Sequence, residues 1–299
     1  MAFAQLEDKI SSAVSAAIGK EFKATVGPSV GGGCVSDTRV ILCKDSDSLK
    51  FFAKIGTPDE VSMLAAEYHG VLEMYNTKTI RVPKPICYDS TDRFSFLILE
   101  NLNMTSRAGR KEYGLLGKNL AKMHRCTSDR GFGWHRGNTI GPTPQLNPWT
   151  SNWTEFFVNY RLRYQLDLAK RNRLKLENVE TFLQKVENIL NQKQDVIPSL
   201  VHGDLWSGNI GFLNTGEPVI FDPATYYGDR EVDIAMTELF GRLPEEFYIA
   251  YNDEFPLAEG YEQRRIIYNL YHVLNHYNLF GGMYGRQAKS MMEEIMEFM

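Results

Sequence analysis

Residues 199–224 read SLVHGDLWSGNIGFLNTGEPVIFDPA, and the spacing of three polar residues in this stretch decides the fold. Asp204 precedes Asn209 by five residues, and Asn209 precedes Asp222 by thirteen. The apolar runs around them have the length of strands: 199–201, 210–213 and 218–221. An Asn-Thr-Gly turn signal separates the last two runs. We therefore expect a strand, a loop and a hairpin that hold the three polar side chains around one small volume.

Phosphoryl transfer from ATP requires such a set of side chains. A carboxylate accepts the proton of the attacking hydroxyl, while an amide oxygen and a second carboxylate hold Mg²⁺ on the phosphates. Protein kinases place an Asn five residues after the Asp of H-R-D, followed by D-F-G. Here HGD, Asn209 and DPA occupy those places. One Asp in a loop is usually a turn or a helix cap, but the three residues together predict Asp204 as the base and Asn209 and Asp222 as Mg²⁺ ligands.

Length and composition limit the possible classes of protein. At 299 residues the chain predicts one large domain or two lobes, with about 150 residues per domain as a guide. The formal net charge of −4 leaves no basic footprint for nucleic acid or an anionic membrane. No apolar run approaches the ~20 residues of a membrane span. We expect neither nucleic acid nor a membrane as a partner.

The N-terminus and the cysteines predict the compartment. Residues 1–19 have no basic region ahead of an apolar stretch, so they do not form a secretory signal, and their apolar residues have helical spacing. The four cysteines form no CxxC pair and no metal-binding spacing. Reduced thiols in a cytoplasmic protein are therefore expected.

A glycine run near the N-terminus is a candidate phosphate-binding loop. Gly31, Gly32 and Gly33 lie between strand-like segments, where backbone N–H groups could approach phosphate oxygens without obstruction by side chains. The run lacks the Walker lysine and the GxGxxG pattern, and a glycine-rich turn alone is usually only a turn. A lysine and a glutamate further along the chain support the phosphate-binding interpretation.

Lys54 ends a strand-like run, at the place of the phosphate-binding lysine of kinases. Residues 41–44 and 49–55 form a hairpin pattern around polar residues 45–48, and Lys54 lies on its second strand. A capping box opens a predicted helix over 57–77, whose apolar positions recur at i, i+3, i+4 and i+7. Glu67 in this helix is placed to pair with Lys54 and fix it over the nucleotide phosphates.

The next strands lead to a predicted hinge. Runs 86–88 and 94–99 read as strands, and the chain then passes through Glu100, Asn101 and Leu102. In a kinase-type architecture this segment hydrogen-bonds adenine. We expect these three residues to contribute backbone groups, so their side chains carry little information.

Several residues of the second half are open to more than one interpretation. His124 is expected to be a packed or capping histidine, and Arg161 and Arg163 are expected to be solvated on a helix. Trp206 follows the predicted base by two residues and is either a wall of a sugar pocket or core packing. Asp233 is expected to bind backbone groups of the Asp204 loop.

These features predict an α+β, bilobal protein-kinase-like fold. Residues 1–101 would form the N-terminal nucleotide-binding lobe, with a small antiparallel sheet and one key helix. Residues 102–299 would form a mostly helical catalytic and substrate-binding lobe, with helices from about 103 to His124, over 153–169 and over 179–192.

The chain resembles the fructosamine kinase (ketosamine-3-kinase) family, which shares the aminoglycoside-phosphotransferase-like branch of this fold. The stretches that carry the resemblance extend over nearly the whole chain: GGGC at 31–34, FFAK at 51–54, Glu67 with Gly70, GPTPQLN at 141–147, the region 153–157, HGDLWSGN at 202–209, FDPATYYGDREVDIAM at 221–236 and LFGGMYG at 279–285. Many small-molecule kinases share HGDxxxxN. The adjacent Leu-Trp, the DPA, the YGDRE and the Pro-Gln-Leu-Asn loop make the resemblance specific.

The resemblance implies ATP- and Mg²⁺-dependent phosphorylation of the 3-hydroxyl of a ketosamine, a small molecule or a glycated protein lysine. The unstable 3-phosphate would release the amine, so the activity would be deglycation, a form of protein repair. It also implies that Lys54 with Glu67 holds the α- and β-phosphates and that Trp206 flanks the sugar. Cys34 in the glycine loop is a candidate redox-sensitive thiol.

The sequence leaves two other functions open. A small-molecule kinase of the same fold could act on choline, an aminoglycoside or another alcohol. A cationic substrate would require acidic residues in the walls of the pocket. Asp229 and Glu231 could supply them, so a cationic substrate stays open. A catalytically inactive scaffold is disfavoured because Lys54, Asp204 and Asp222 are all present. The sequence also leaves open which sugar the substrate carries and whether the substrate is free or bound to a protein. The oligomeric state, a monomer or a weak dimer, stays open as well.

Overall fold

The computed structural model of the protein describes residues 3–30, 37–105 and 107–298, with the side chain of Asp47 left out. The chain divides into two compact units. The first comprises Met1–Ala108 and Gly211–Asp222, and the second comprises Gly109–Ile210 and Pro223–Met299.

The first unit is built on an antiparallel sheet of five strands in the order β1-β2-β3-β5-β4. Its elements are α1 (Ala4–Ile18), β1 (Ala24–Ser29), β2 (Asp37–Cys43), β3 (Ser46–Gly56), α2 (Val61–Thr77), β4 (Pro85–Ser90) and β5 (Ser95–Glu100). A short 3-10 turn, Pro58–Glu60, carries the predicted capping box and precedes α2. Strand β3 already begins at Ser46, so the hairpin turn is tighter than the polar segment 45–48 had suggested.

Alternation along the strands divides the sheet into two faces. Because successive side chains of a strand point to opposite sides, Phe96 and Ile98 of β5 join the cluster of α1, while Leu97 and Leu99 join Leu64 of α2. The same alternation applies to β3: its residues 51, 53 and 55 belong to the α1 cluster. Lys54 is thereby directed to the α2 side of the sheet.

A second, three-stranded sheet belongs to the same unit. It pairs β6 (Met104–Thr105) with β10 (Ile210–Leu213), and β10 with β11 (Pro218–Ile220). The hairpin of β10 and β11 follows the sequence expectation, but the pairing with β6 does not. Because β6 pairs with β10, residues 102–108 and 211–222 group with the first unit, which departs from the expected division at 101/102.

The second unit is mainly helical. Its helices are α3 (Arg110–His124), α4 (Trp153–Phe157), α5 (Tyr164–Arg171), α6 (Val179–Leu190), α7 (Glu231–Leu239), α8 (Glu245–Glu254), α9 (Tyr261–Phe280) and α10 (Met283–Glu297). A π-helical segment, Val158–Arg163, joins α4 to α5, so one helical stretch covers the predicted 153–169. Two small antiparallel pairs complete the unit: β7 (Asn138–Ile140) with β8 (Thr143–Gln145), and β9 (Ser199–Val201) with β12 (Tyr226–Gly228).

Helix α9 is buried along most of its length and contains a histidine with a large pKa shift. Burial, with smaller contributions from His276 and Arg161, lowers the pKa of His272 to about 3. The folded protein therefore holds His272 neutral over a pH range in which the unfolded chain, with a pKa of about 6.5, binds a proton. Its contribution to stability is complete above the unfolded pKa and is lost as the pH falls below it.

We expect the free energy of unfolding to fall by on the order of 1 kcal/mol per pH unit below pH ~6.5 because of His272. Chemical denaturation at several pH values would measure this slope. His272→Gln should reduce it, whereas His135→Gln, at an exposed histidine, should leave it unchanged. An equal slope in the wild type and in His272→Gln would contradict the assignment.

Candidate active site

The loop that carries the predicted base begins with a glycine that no other residue can replace without strain. Gly203 has a φ of +82° and a Cβ there would lie 2.2 Å from the carbonyl oxygen of Ala224. The backbone N–H of Ala224 donates to the carbonyl of His202 at 2.9 Å, which explains this close approach. Gly203 thus lets the segments before Asp204 and after Pro223 run in direct contact.

Asp233 in the first turn of α7 holds this loop in place through hydrogen bonds to its backbone. Its carboxylate accepts hydrogen bonds from the backbone N–H groups of His202 (2.7 Å) and Gly203 (2.8 Å). Burial alone would raise the pKa of Asp233, but the hydrogen bond from His124 and its surrounding charges hold that pKa below its usual value. An ionised Asp233 therefore binds the backbone of the loop, as the sequence predicted.

His124 has the structural role expected of it. The side chain is buried, and its Nε2 lies 3.0 Å from Oδ2 of Asp233. Its Nδ1 lies 2.7 Å from the hydroxyl of Tyr251, which also accepts a hydrogen bond from Arg230 at 3.0 Å. His124 of α3 therefore connects Asp233 to Tyr251 of α8.

Asp204 and Asn209 form a compact pair in the second unit. The side-chain amide of Asn209 donates to the backbone carbonyl of Asp204 at 2.8 Å and to its carboxylate Oδ2 at 3.2 Å. The N–H of Asp204 donates to Nδ1 of His202 at 3.2 Å. These bonds orient the carboxylate and direct the amide nitrogen of Asn209 inward, which makes its oxygen the atom suited to a cation.

Trp206 is 38% exposed, which excludes the core-packing interpretation. Its indole lies over Gly208, where a Cβ would be 2.2 Å from the ring. Leu205, by contrast, is completely buried and anchors the loop. An exposed indole two residues from Asp204 is compatible with the predicted sugar-flanking role, which stays a prediction.

Lys54 lies between two carboxylates of the first unit. Its Nζ is 2.8 Å from Glu67 Oε1 and 2.8 Å from Asp222 Oδ1, so the predicted Lys54–Glu67 ion pair is present. Burial works against a charged amine, but the charges of Glu67 and Asp222 hold the pKa of Lys54 above its usual value. Burial raises the pKa of Glu67 even beside this ammonium group. Lys54 is therefore a fixed positive charge.

Asp222 adopts a backbone conformation that is uncommon for residues other than glycine. Its φ is +57°, in the left-handed region. Such strain is frequent at functional sites, where the surrounding structure enforces it. Here it lies at the residue that pairs with Lys54.

We expect Lys54→Met to lower kcat/KM for ATP by about 10²–10³-fold, because it removes the positive charge that is predicted to bind the phosphate oxygens. Glu67→Gln should have a smaller effect, since the ammonium group is retained but less firmly held. Lys50→Met is a matched control, because Lys50 is an exposed lysine of the same strand. ATP-dependent kinetics at saturating acceptor would measure these effects. Wild-type kinetics in Lys54→Met would refute the assignment.

The other predicted nucleotide-binding residues have different outcomes. Gly31, Gly32 and Gly33, with Cys34, lie outside the described residues. Glu100 ends β5, and its N–H already donates to the carbonyl of Lys84 at 2.9 Å. Its carboxylate accepts from Arg81 at 2.6 Å and from the Lys84 N–H at 3.0 Å. Asn101 and Leu102 continue as an irregular segment, and contact with adenine stays a prediction for all three.

The expectation that Arg161 is solvated is wrong. Its side chain is fully buried (0% exposed), and its guanidinium donates to the carbonyl of Leu146 at 2.7 Å and to Oδ1 of Asn147 at 2.6 Å. The π-helical segment that contains Arg161 turns it inward, over the ring of Tyr226. Arg163 is partly exposed and pairs with Glu180 at 2.6 Å, as a solvated residue can.

Arg161 belongs to a polar network that extends through Asn147 and Asn138 to Gln145. Gln145 donates to the carbonyl of Ala224 at 3.1 Å and accepts from the hydroxyl of Tyr271 at 2.7 Å. Asn138 donates to the carbonyl of Thr225 at 2.7 Å. The network attaches the β7–β8 hairpin to the segment that contacts Gly203. The Pro-Gln-Leu-Asn motif was the only sequence signal for it.

Asp229 and Glu231 do not form an acidic pocket wall. Both are buried and pair with Lys193, at 2.7 Å and 2.9 Å respectively. Glu231 also pairs with Arg264 at 2.7 Å, and Tyr268 donates to Asp229 at 2.8 Å. Lys193 and Arg264, which are distant in sequence, thus neutralise these carboxylates. The main feature that supported a cationic substrate is thereby removed.

Asn209 of the second unit and Asp222 of the first each carry an oxygen ligand that suits Mg²⁺ by its chemistry. An amide oxygen and a carboxylate are hard ligands, and Mg²⁺ in nucleotide kinases is held by one or two such groups together with the phosphates. Asn209 has its amide nitrogen engaged with Asp204, and Asp222 presents a partly exposed carboxylate. No cluster of three or more His, Cys, Asp or Glu that could hold a metal occurs in the described part of the chain.

The chain matches a known family and several known proteins. The fructosamine kinase family model matches residues 6–298. A protein of Synechocystis named as a probable ketoamine kinase is 46% identical over 287 residues, which cover 96% of each chain. The chloroplastic protein-ribulosamine 3-kinase of Oryza sativa subsp. japonica is 39% identical over 94% of this chain and 82% of its own.

Solved structures agree with the fold. The crystal structure of a protein described as a fructosamine-3-kinase from Haemophilus somnus 129PT superposes with a TM-score of 0.89, at 28% identity over 99% of this chain and 100% of that one. A streptomycin–ATP complex of APH(2″)-IIa gives a TM-score of 0.59 at 17% identity, over 97% of this chain and 96% of that one. The Streptococcus pneumoniae choline kinase LicA gives 0.62 at 12% identity, over 99% and 100% respectively. The last two share the kinase-like fold alone, which confirms the predicted fold class.

Proposed function

The chain belongs to the fructosamine kinase family, and we propose that it transfers the γ-phosphoryl group of ATP to the 3-hydroxyl of a ketosamine. The observation that carries the proposal is the Asp204 loop, whose backbone is fixed by the buried, ionised Asp233. A loop held in this way presents one carboxylate in a defined orientation, as proton acceptance from a single hydroxyl requires.

In the proposed reaction, the oxygen of the 3-hydroxyl attacks the γ-phosphorus, and Asp204 accepts the proton of that hydroxyl. The new O3–P bond forms, the bond between the γ-phosphorus and the β–γ bridging oxygen breaks, and ADP leaves. Asn209 and Asp222 would hold Mg²⁺, which neutralises charge on the phosphates. Most of the rate enhancement would come from alignment and from fixed positive charge rather than from a strong base.

Lys54 would supply part of that charge. Its raised pKa keeps it protonated throughout the physiological range, and Glu67 and Asp222 hold it in place. We propose that it binds the α- and β-phosphates of ATP. Backbone groups of the glycine run (Gly31, Gly32 and Gly33) and of residues 100–102 would complete the nucleotide contacts.

The acceptor is proposed to be a ketosamine rather than choline or an aminoglycoside. Relatives with 36–46% identity are named as ketoamine kinases or ribulosamine 3-kinases, whereas the choline and aminoglycoside kinases resemble the chain only in fold. The neutralised Asp229 and Glu231 offer no free charge to a cationic acceptor. The exposed indole of Trp206 suits the face of a sugar.

We further propose deglycation as the outcome, with a glycated protein lysine among the substrates and the cytoplasm as the compartment. The 3-phosphate would be eliminated and the amine regenerated. No helix in the described parts of the chain has the length and apolar character needed to cross a bilayer. We propose a monomer or a weak dimer.

Consumption of ATP in the presence of Mg²⁺ would test the proposal, with a fructosamine, a ribulosamine, choline and an aminoglycoside as acceptors. Turnover of a ketosamine is expected, and the ratio of the two ketosamines would identify the preferred sugar. Turnover of choline or the aminoglycoside alone would overturn the acceptor class while leaving the kinase chemistry intact.

A further inference from the structure

An open cleft in the second unit lies outside the elements assigned to the reaction. Its volume is about 500 Å³, within the range of ligand-binding sites. Two segments form it, one after α3 and one after β8. Its lining includes Arg130, Arg136, Leu146, Asn147 and Trp149.

The cleft is positively charged in a chain whose net charge is −4. Arg130 is exposed and Arg136 is half-buried. In the described ranges 3–30, 37–105 and 107–298, no carboxylate forms an ion pair with either guanidinium. Arg130 lies over the ring of Trp149, with its Cζ 4.5 Å from the ring centroid, so an aromatic face holds the cation in place.

The cleft also presents apolar surface. Leu146 is 48% exposed, although its backbone carbonyl is fixed by Arg161. The indole Nε1 of Trp149 is buried and has no hydrogen-bond partner among the described residues. This N–H is shielded from solvent, so Trp149 contributes to the cleft the ring that holds Arg130. Fixed cations beside an apolar side chain match an acidic peptide segment.

The cleft is connected to the Asp204 loop through few residues. Asn147 on its wall follows Gln145 by two positions, and Gln145 is bonded to the carbonyl of Ala224 at 3.1 Å. Ala224 in turn donates to the carbonyl of His202. Burial raises the pKa of Tyr271, the partner of Gln145, and the charge of Asp204 adds to that shift. The cleft and the Asp204 loop are therefore linked within the second unit, and each residue of a bound polypeptide adds ~3.3 Å of reach.

We propose that this cleft binds acidic side chains of a glycated polypeptide, close in sequence to the modified lysine. The inference rests on the proposed function and specifies its substrate: protein-bound ketosamines in acidic sequence contexts. Arg130 and Arg136 provide the charge, Leu146 provides the apolar contact, and the ring of Trp149 holds Arg130 in place. Carboxylates on the polypeptide would form ion pairs with these two guanidinium groups.

The test uses two peptides with one glycated lysine, flanked by Asp in one and by Asn in the other. In the wild type we expect kcat/KM to be about tenfold higher for the Asp peptide, as two partly exposed charge pairs can provide. Arg130→Gln/Arg136→Gln should abolish this preference. Lys170→Gln/Arg171→Gln, which removes two exposed charges from α5, should retain it.

A small free ketosamine separates the inference from the proposed function. Its kcat/KM should be the same in the wild type and in the cleft variant, and a wild type that fails to use it would contradict the proposed function instead. Binding of the unglycated Asp and Asn peptides, measured by calorimetry at low and high salt, tests the cleft without catalysis. Equal affinity for the two peptides, or an equal loss of affinity in both double variants, would overturn the inference.

Discussion

Asp204→Asn should lower kcat by about 10³-fold, within the 10²–10⁴-fold range of a positioned general base, while the protein remains folded. The substitution keeps the shape of the side chain and the backbone carbonyl that Asn209 binds at 2.8 Å. The side chain loses its negative charge and with it the capacity to accept a proton. Steady-state kinetics with a ketosamine and a separate measurement of nucleotide binding would show a large effect on kcat and a small one on ATP affinity.

Asp253→Asn is the control for this experiment, because Asp253 is an exposed carboxylate of α8. It should retain wild-type turnover. If Asp204→Asn turned over at the wild-type rate, Asp204 would not be the base, and the site assignment in the second unit would have to be abandoned.

Asp233→Asn should reduce both stability and turnover. Its carboxylate binds two backbone N–H groups and His124, all inside the protein. The amide oxygen of an asparagine could still accept a hydrogen bond. The amide NH₂ group, however, would face one of the N–H donors that the second carboxylate oxygen now binds. Breaking a buried charged interaction typically costs about 3–5 kcal/mol, and a loosened Gly203 would displace Asp204. Denaturant unfolding should therefore show a loss of this order, and kcat should fall by at least about 10²-fold.

The pH dependence of this loss distinguishes it from a packing defect. The pKa of Asp233 is held below its usual value in the folded protein. Its contribution to stability is therefore complete above the unfolded pKa of about 3.9 and is lost as the pH falls through the lower folded value. The difference between the wild type and Asp233→Asn should be constant at neutral pH and shrink below pH ~4. A difference that is the same at pH 3 and pH 7 would refute the electrostatic explanation.

Much of the site could be predicted because its signals are local. The separations of Asp204, Asn209 and Asp222 are set by short strands and one tight turn, and these strands are present: β9, β10 and β11. Lys54 and Glu67 were predictable because strand alternation and helical periodicity each fix the direction of a side chain. Asp233 follows Asp222 by only eleven residues, so its carboxylate could be expected near the loops that carry the site.

The remainder depends on contacts between distant parts of the chain. Arg161 has the sequence environment of a surface helix, and only the π-helical segment and the carbonyl of Leu146 explain its burial. Lys193, which follows α6, and Arg264 of α9 both neutralise Glu231. No local sequence pattern indicates either ion pair. Strand β6 is two residues long and becomes recognisable only through its pairing with β10. The strain at Asp222 likewise has no sequence signature.

The most direct test of the central claim is the position of the transferred phosphate. A ribulosamine or fructosamine would be incubated with ATP, Mg²⁺ and the wild-type protein, and the product analysed by phosphorus and carbon NMR. We predict a phosphate on O3, followed by release of the free amine, with both products formed about 10³-fold more slowly by Asp204→Asn. Phosphate on another hydroxyl, or ATP consumption that leaves the ketosamine intact, would contradict the proposed reaction.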